Sequence, residues 1–422
     1  MNFQTFTIGY LYICQRGVFE RVSVKISEKL KMYISDTSID CLAVCLYFLC
    51  LPFTIVTTPF GSLLKLITFP VSAVLAAKLF LGNVKPLRFN CVHFVYSLYI
   101  IITFCGLLML REEVTVTTTK DMLLAYMVFA LVSIRVYNER EHELIDSTWI
   151  IVGIMCTWLC LTSKQMVNQF ENRTVINIFG FSEDPNQFCA YYIVPAMVSV
   201  KRILEKRKTA LLYAILIVLM LYGVLKTGSR GGLVGILAGM FCYMMIGTKN
   251  IKMKIGFAAG GLIMAVLFAT VLFPLLPADI QERFTVESVE ESGGSGRTEI
   301  WRYLIEYTGE KPERIIRGSG LLSTYPIMEA NKNNGGAFGH GRVAHNQYIQ
   351  VFTDQGVLGL LVFLILICVC IFRNIKKEPY ISASFISVMA FSISLTMYVF
   401  KPYINILMMC AMTFSDTGTE GE

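Results

Sequence analysis

The sequence predicts an all-α integral membrane protein with about 12 transmembrane helices and one large extracytoplasmic loop containing a short amphipathic helix. Hydrophobic residues make up 55% of the 422 residues, and the mean hydropathy is +0.59. Charged residues account for only 16%, whereas soluble domains carry roughly 25%. The apolar residues also fall in long runs, which one long polar stretch, Ala278–Ala344, interrupts. These observations exclude an ordinary soluble domain.

Apolar runs that are long enough, or nearly long enough, to cross a bilayer define the predicted helices. They lie at residues 39–56, 62–81, 92–110, 121–137, 148–162, 187–200, 209–225, 231–247, 255–276, 349–372, 380–400 and 402–414. The predicted organisation is a cytoplasmic N-terminal segment (1–38), nine helices (39–277), a large extracytoplasmic loop (278–348), three helices (349–414) and an acidic cytoplasmic tail (415–422).

Basic residues predict the orientation of these helices. Counted over alternate loops, one set holds twenty Lys and Arg residues, and the other holds seven outside the long loop. Loops rich in Lys and Arg face the cytoplasm. Both termini are therefore expected in the cytoplasm, and the long loop is expected on the outer face. Because these loops account for the net charge of +7, that charge does not indicate nucleic-acid binding.

Three polar clusters stand directly before helices that are predicted to run inwards from the outer face. They are the segment 181–186 with Asp184, Pro185 and Asn186, the segment 227–232 with Ser229 and Arg230, and His345-Asn346. The N-terminus of each such helix presents unpaired backbone N–H groups and the positive end of the helix dipole. If the three ends converge, they form a site suited to an anion such as a phosphate ester or a diphosphate.

Helix structure alone explains part of these clusters. Asp184 is a good N-cap before a proline in the first turn, although capping leaves Asn186 unexplained. Gly231, Gly235 and Gly239 recur at four-residue spacing, which lets membrane helices pack closely. We assign these glycines to packing.

Within these clusters, Arg230 and His345 are the residues for which we expect a chemical role. An arginine at the edge of a span can simply extend to the interface, but Gly228 and Gly231 leave the backbone of Arg230 accessible and favour a functional role. His345 could be an interfacial histidine, yet a helix N-terminus favours the neutral imidazole that a general base requires. His340, in the glycine-rich segment just before it, is expected to be dispensable.

The long loop is predicted to contain one amphipathic helix. Apolar residues recur at helical spacing from Ile300 to Tyr307, which predicts a helix over Arg297–Glu310. Arg297 at its start, with Trp301 and Arg302 in the next turn, offers cations and an aromatic surface for a phosphate and a sugar.

The order of four motifs points to a family. DPN precedes one helix, TGSRGG opens another, GRTEIW lies in the long loop, and HNQYIQVFTDQGVLG enters a third helix. This order resembles the O-antigen ligase and polymerase family of bacterial envelope enzymes. His345-Asn346, Gly356 and Gly359 are similar to the histidine-to-glycine signature of that family. The resemblance covers residues 150–375.

The resemblance implies a GT-C-type inverting glycosyltransferase on the outer face of the bacterial cytoplasmic membrane. Its donor would be an undecaprenyl-diphosphate-linked glycan, with no metal and no cofactor, and the family suggests a chain-length regulator as a partner. His345 would be the general base that deprotonates the acceptor hydroxyl, and Arg230 and Arg297 would hold the leaving diphosphate. The candidate substrate-binding residues are Asn186, Ser229, Trp301, Arg302 and Asn346.

The sequence leaves three functions open. We prefer a polymerase of surface polysaccharide, such as O-antigen, capsule or exopolysaccharide, over a ligase that attaches finished glycan to a lipid core. The third is a transporter of lipid-linked sugars without chemistry of its own. Transporters carry ionisable groups near the middle of the membrane, whereas here Lys65 and Lys78 are the only charges well within spans, and both are expected to extend to the interface.

Overall fold

The computed structural model describes residues 38–81, 87–107, 113–163, 166–168, 171–173, 176–205, 207–275, 278–282, 297–333 and 343–415. Of the described residues, 79% are helical, which confirms the predicted helical class. The predictions for the N-terminal residues 1–37, for His340 and for the tail after residue 415 lie outside the described residues.

The elements follow one another along the chain as helices with short hairpins between them. The helices are α1 (Ile39–Leu49), α2 (Leu63–Phe80), α3 (Cys91–Leu107), α4 (Glu113–Ser133), α5 (Glu139–Thr162), α6 (Pro185–Cys189), α7 (Ile193–Glu205), α8 (Ala210–Lys226), α9 (Arg230–Gly247), α10 (Ile251–Leu267), α11 (Ala278–Glu282), α12 (Arg297–Gly309), α13 (Pro312–Arg317), α14 (Thr324–Asn333), α15 (Gln347–Asn374), α16 (Pro379–Phe391) and α17 (Lys401–Ala411). Short strands form antiparallel pairs, β1 (Thr57–Thr58) with β2 (Gly61–Ser62), β4 (Met166–Asn168) with β5 (Glu171–Arg173) and β6 (Ile176–Ile178) with β7 (Phe181–Glu183), and one parallel pair, β3 (Val136–Tyr137) with β8 (Thr413–Phe414).

Five helices of the described part are long and apolar enough to cross a membrane: α2, residues Val116–Ser133 of α4, α5, α9 and α15. Shorter apolar helices accompany them, namely α1, residues Cys91–Gly106 of α3, α8 and α16. The chain is therefore a multi-pass membrane protein, but the predicted number of about 12 spans is not confirmed.

Two of the predicted spans are interrupted. The run at 187–200 divides into α6, a 3₁₀ turn and α7, with Pro195 in the first turn of α7, where its missing N–H costs no hydrogen bond. The run at 380–400 stops being α-helical after Phe391. There the Ser392 hydroxyl donates to the Val388 carbonyl at 2.7 Å, and such local bonds compete with the helix. We call residues 392–400 the 392–400 turn.

Close contact between α9 and α16 brings the middle of the bundle together. A Cβ at Gly235 would lie 2.9 Å from the Phe391 Cβ, and one at Gly239 would lie 2.6 Å from the Ser387 Cβ. Side chains at these positions would therefore push the two helices apart. The assignment of these glycines to helix packing is confirmed.

Ion pairs join α5, α7 and α16 at the end of the bundle away from the 392–400 turn. Lys201 Nζ lies 2.8 Å from Asp146 Oδ2, and the Tyr380 hydroxyl donates to Asp146 Oδ1 at 3.0 Å. Arg202 Nη1 lies 2.7 Å from Glu143 Oε1. Asp146 is fully buried, so its charge needs these partners.

The amphipathic helix of the long loop is present. α12 covers Arg297–Gly309, close to the predicted Arg297–Glu310, and buries Ile300, Leu304 and Thr308. Ile300 and Leu304 pack with Met328 of α14 and with Ala344. The helix therefore lies against the chain just before α15.

Candidate functional site

The three predicted helix N-termini are all capped by side chains. Asp184 Oδ1 accepts hydrogen bonds from the backbone N–H groups of Asn186 (2.8 Å) and Gln187 (3.1 Å) at the start of α6. Ser229 Oγ accepts from the Gly232 N–H at 3.3 Å at the start of α9. Ser229 is buried, so its hydroxyl serves the helix.

Asn346 caps the N-terminus of α15 in the same way. Its Oδ1 accepts from the backbone N–H groups of Tyr348 (3.0 Å) and Ile349 (3.1 Å). Ser229 and Asn346 are predicted substrate-binding residues, and the structure gives the oxygen of each a capping role.

The end of α6 meets the start of α9. Cys189 Sγ lies 2.9 Å from the Thr227 hydroxyl, and a Cβ at Gly232 would lie 2.7 Å from the Cys189 Cβ. Asn186, half-buried on α6, is one turn away from this contact.

The 392–400 turn joins the start of α9 to the start of α15. A Cβ at Gly231 would overlap the Ser394 hydroxyl. Two residues earlier, the Ser392 carbonyl accepts from the Gln347 N–H at 2.8 Å, and Gln347 Oε1 accepts from the Met397 N–H at 2.6 Å. Arg230, which precedes Gly231, and the chain around Gln347 are therefore held by the same turn.

α12 is tied to the residue before His345. Trp301 Nε1 donates to the Ala344 carbonyl at 2.7 Å. Arg297 lies one turn before Trp301 on the same helix, so it belongs to the element that contacts this part of the chain. Arg302 is exposed on α12.

His345 has an unusual backbone conformation. Its φ is +49°, in the left-handed region that residues other than glycine seldom adopt and that often marks functional sites. On its N-terminal side, the buried N–H of Ala344 donates to Gln350 Oε1 at 3.0 Å. Gln350 Nε2 in turn donates to the Thr324 hydroxyl and to Asp354 Oδ2, each at 3.0 Å.

Asp354 is the centre of this polar network and was missed in the sequence analysis. It is fully buried in α15 and accepts hydrogen bonds from the backbone N–H of Leu322 (3.0 Å), the hydroxyl of Ser323 (2.9 Å) and the hydroxyl of Tyr398 (2.7 Å). It therefore connects the long loop, α15 and the 392–400 turn. A carboxylate inside an otherwise apolar run was the available signal.

A break in α15 at Gly356 makes room for this connection. Its φ is +66°, and a Cβ there would overlap the carbonyl oxygen of Ile316. The carbonyls of Thr353 and Asp354 accept from the N–H groups of Ser319 and Gly320, each at 2.9 Å. Glycine is required here because it tolerates both the positive φ and the close backbone.

Arg230 carries an enclosed donor that none of the described residues satisfies. The side chain is half-buried, and its Nη1 finds no hydrogen-bond acceptor among the described residues. Buried donors are normally satisfied, so this one is suited to an acceptor on a ligand. The described residues contain no group of three or more His, Cys, Asp or Glu side chains that could hold a metal ion.

A cavity of about 250 Å³ lies between α6 and the 392–400 turn. Glu183, Gln187 and Tyr191 line one side, and Phe400 and Lys401 line another. Glu183 is only 8% exposed. Burial, with a smaller contribution from the neighbouring Asp184 charge, raises the pKa of Glu183 from 4.5 to about 7.

Asp121 of α4 lines the same cavity. It is also the partner of Lys65, one of the two lysines within the predicted spans. Lys65 Nζ lies 2.7 Å from Asp121 Oδ1. Lys65 therefore also has an opposite charge within reach on the neighbouring helix, and its extension to the interface stays a prediction.

Comparisons with known proteins agree with the order of motifs. Residues 215–364 match the family model described as O-antigen ligase (Wzy_C), and this region contains Arg230, Arg297, Trp301 and His345. No curated protein matches the sequence. A chain from a solved peptidoglycan synthase complex is similar at 13% identity and a TM-score of 0.46, over 76% of this chain and 94% of that chain. Residues 215–364 of this multi-pass membrane protein are therefore similar to the O-antigen ligase family.

Proposed function

We propose that the protein transfers a glycan from an undecaprenyl-diphosphate-linked donor to a hydroxyl of an acceptor glycan, and so polymerises surface polysaccharide on the outer face of the membrane. The observation that carries this proposal is the enclosed Nη1 of Arg230, which has no acceptor among the described residues and lies beside the turn that also contacts the start of α15. A guanidinium at a helix N-terminus suits a diphosphate, because both the charge and the helix dipole favour an anion.

In the proposed reaction, the acceptor hydroxyl oxygen attacks the anomeric carbon of the donor. The bond between that carbon and the diphosphate oxygen breaks, and undecaprenyl diphosphate leaves with the bonding electrons. His345 takes the proton of the hydroxyl as general base. Arg230 and Arg297 offset the negative charge that grows on the leaving group. Attack from the face opposite the leaving group inverts the anomeric centre.

A ligase is the second candidate, and it is favoured by the description of the family model that residues 215–364 match. The chemistry at the anomeric carbon would be the same. The acceptor would differ, because a ligase moves a finished glycan onto a lipid core instead of onto another repeat unit.

The test places purified protein in lipid vesicles with a polyprenyl-diphosphate-linked repeat unit, without nucleotide and with a chelator. Wild type is compared with His345→Ala and Arg230→Ala on a glycan gel. Arg317→Ala is the matched control, because Arg317 is an exposed arginine of α13 and is not a candidate site residue. A ladder of products that both site variants lose and the control keeps would support the polymerase.

Two other results would change the conclusion. A single transfer that needs an added lipid-core acceptor would identify a ligase. If no donor and acceptor pair gave product while the vesicles moved lipid-linked sugar across the bilayer, the enzyme would be rejected in favour of a transporter.

A further inference from the structure

We propose that the cavity between α6 and the 392–400 turn is the subsite for one sugar ring of the acceptor glycan, with Glu183 accepting a hydrogen bond from a ring hydroxyl. This inference rests on the proposed function and adds to it the place and the chemistry of acceptor binding.

The walls of the cavity are continuous with the candidate site. Met397 lines the cavity, and its N–H donates to Gln347, two residues after His345. On the opposite side, Gln187 belongs to the same helical turn as Asn186, and that helix contacts the start of α9 through Cys189. A ligand in the cavity is therefore bordered by the two segments that contact α9 and α15.

The charges of the cavity suit a neutral ligand. Asp121 is paired with Lys65 at 2.7 Å, Lys401 supplies a positive charge, and Glu183 supplies a second carboxylate. With Glu183 ionised, the two carboxylates and two lysines balance, and with Glu183 neutral only one positive charge is in excess. In both states the cavity lacks the excess of cations that a diphosphate needs. A sugar ring presents uncharged hydroxyls, which can donate to carboxylates.

Glu183 is placed to receive such a hydroxyl. The residue is 8% exposed and lines the cavity. The backbone of Asp184 favours the charged form of Glu183, and a carboxylate offers about four acceptor positions, which leaves room for a sugar hydroxyl. Tyr191 and Phe400 add aromatic surface, and apolar walls with a few polar groups are typical of small-molecule sites.

The volume limits the ligand to a small one. About 250 Å³ falls just below the roughly 300–1,000 Å³ of sites for drug-sized molecules. One ring of the acceptor, rather than several, is the appropriate occupant, and the remaining glycan would extend out of the cavity.

The test measures donor and acceptor separately. The acceptor is the repeat-unit oligosaccharide released from its lipid by mild acid, which has no diphosphate and cannot serve as donor. The variants are Glu183→Gln and Thr118→Phe, the second of which inserts a ring into the cavity from α4. Glu205→Gln is the matched control, because Glu205 lines a different cavity, beside Lys201 at the other end of the bundle.

We expect the KM for the free oligosaccharide to rise about ten- to a hundredfold in both variants, as for the loss of a hydrogen bond to a charged group. The KM for the lipid-linked donor should not change, and Glu205→Gln should behave as wild type. Titration calorimetry with the same oligosaccharide should show weaker binding in the same two variants.

The remaining outcomes separate this inference from the proposed function. If wild type transfers glycan and the acceptor KM is unchanged in both variants, the subsite is rejected and the function stands. A rise in the KM for the donor alone would show that the cavity binds a sugar ring of the donor, and the acceptor assignment would be rejected. If wild type transfers nothing, the proposed function fails, and the calorimetry then decides whether the cavity binds the sugar.

Discussion

Replacing Gln350 by methionine tests whether the polar network beneath His345 positions it. Gln350→Met keeps the side-chain volume but removes the acceptor of the Ala344 N–H (3.0 Å) and the donor to Thr324 and Asp354 (each 3.0 Å). Asp354 keeps its bonds from Leu322, Ser323 and Tyr398. The main loss is therefore the buried Ala344 N–H, which costs about 1–3 kcal/mol when left without an acceptor.

That cost is small beside a total stability of about 5–15 kcal/mol, so the variant should fold. Its rate of glycan transfer should nevertheless fall about a hundredfold, because a displacement of about 1 Å at a reacting group can cost that much. The assays are thermal unfolding and the initial transfer rate with saturating lipid-linked donor.

The matched control for this variant is Gln355→Met, on the same helix. Gln355 Nε2 donates to the hydroxyls of Thr103 (3.0 Å) and Tyr99 (3.3 Å), so its loss also removes buried hydrogen bonds but does not touch Ala344. We expect a similar loss of stability with a rate within about threefold of wild type, a difference of less than 1 kcal/mol in activation free energy. Equal losses of rate in both variants would refute the positioning role of Gln350.

Three further predictions concern the backbone, a buried acid and the phosphate contact. Gly356→Ala should lower stability by about 2–4 kcal/mol in thermal unfolding, because its φ is +66° and a Cβ overlaps the Ile316 carbonyl; Gly260→Ala, where nothing lies within 4 Å, should not. Burial raises the pKa of Glu183 to about 7, so the stability that its neutral form contributes is complete below about pH 4.5 and is lost as the pH rises through about 7. Glu183→Gln should therefore remove about 3 kcal/mol of the decline in unfolding free energy between pH 5 and 8. The same pH dependence of the melting temperature in both proteins would contradict this. Arg230→Lys should lower kcat on the order of a hundredfold, because lysine cannot hold two phosphate oxygens in a planar fork, and a kcat equal to wild type would remove Arg230 from the site.

Local patterns in the sequence were sufficient to predict the fold class and the position of α12. Composition alone identifies a membrane protein, and the spacing of apolar residues predicted a helix over Arg297–Glu310 where α12 covers Arg297–Gly309. The number of spans could not be predicted in the same way. Hydropathy treats 380–400 as one run, whereas hydrogen bonds of Ser392 and its neighbours end α16 at Phe391.

The candidate site was predictable where helix termini define it. Capping patterns located the starts of α6, α9 and α15. The supporting residues were not predictable, because Asp354 is bonded to Leu322 and Ser323, more than thirty residues earlier in the chain. Such contacts arise only when the loop has folded onto α15. Glu183 belongs to the first polar cluster but was given no role for the same reason, because it lines a cavity shared with α4 and the 392–400 turn.

The position of the 392–400 turn has a consequence for working with the protein in pieces. The region that matches the O-antigen ligase model ends at residue 364, yet the turn that contacts Gly231 and Gln347 lies beyond it. α6, with its contact to Thr227, lies before the region. An isolated 215–364 fragment would expose both surfaces and lose the alignment of its two helix starts. Complementation by separately expressed segments 1–214 and 365–422 would be needed to rebuild the arrangement.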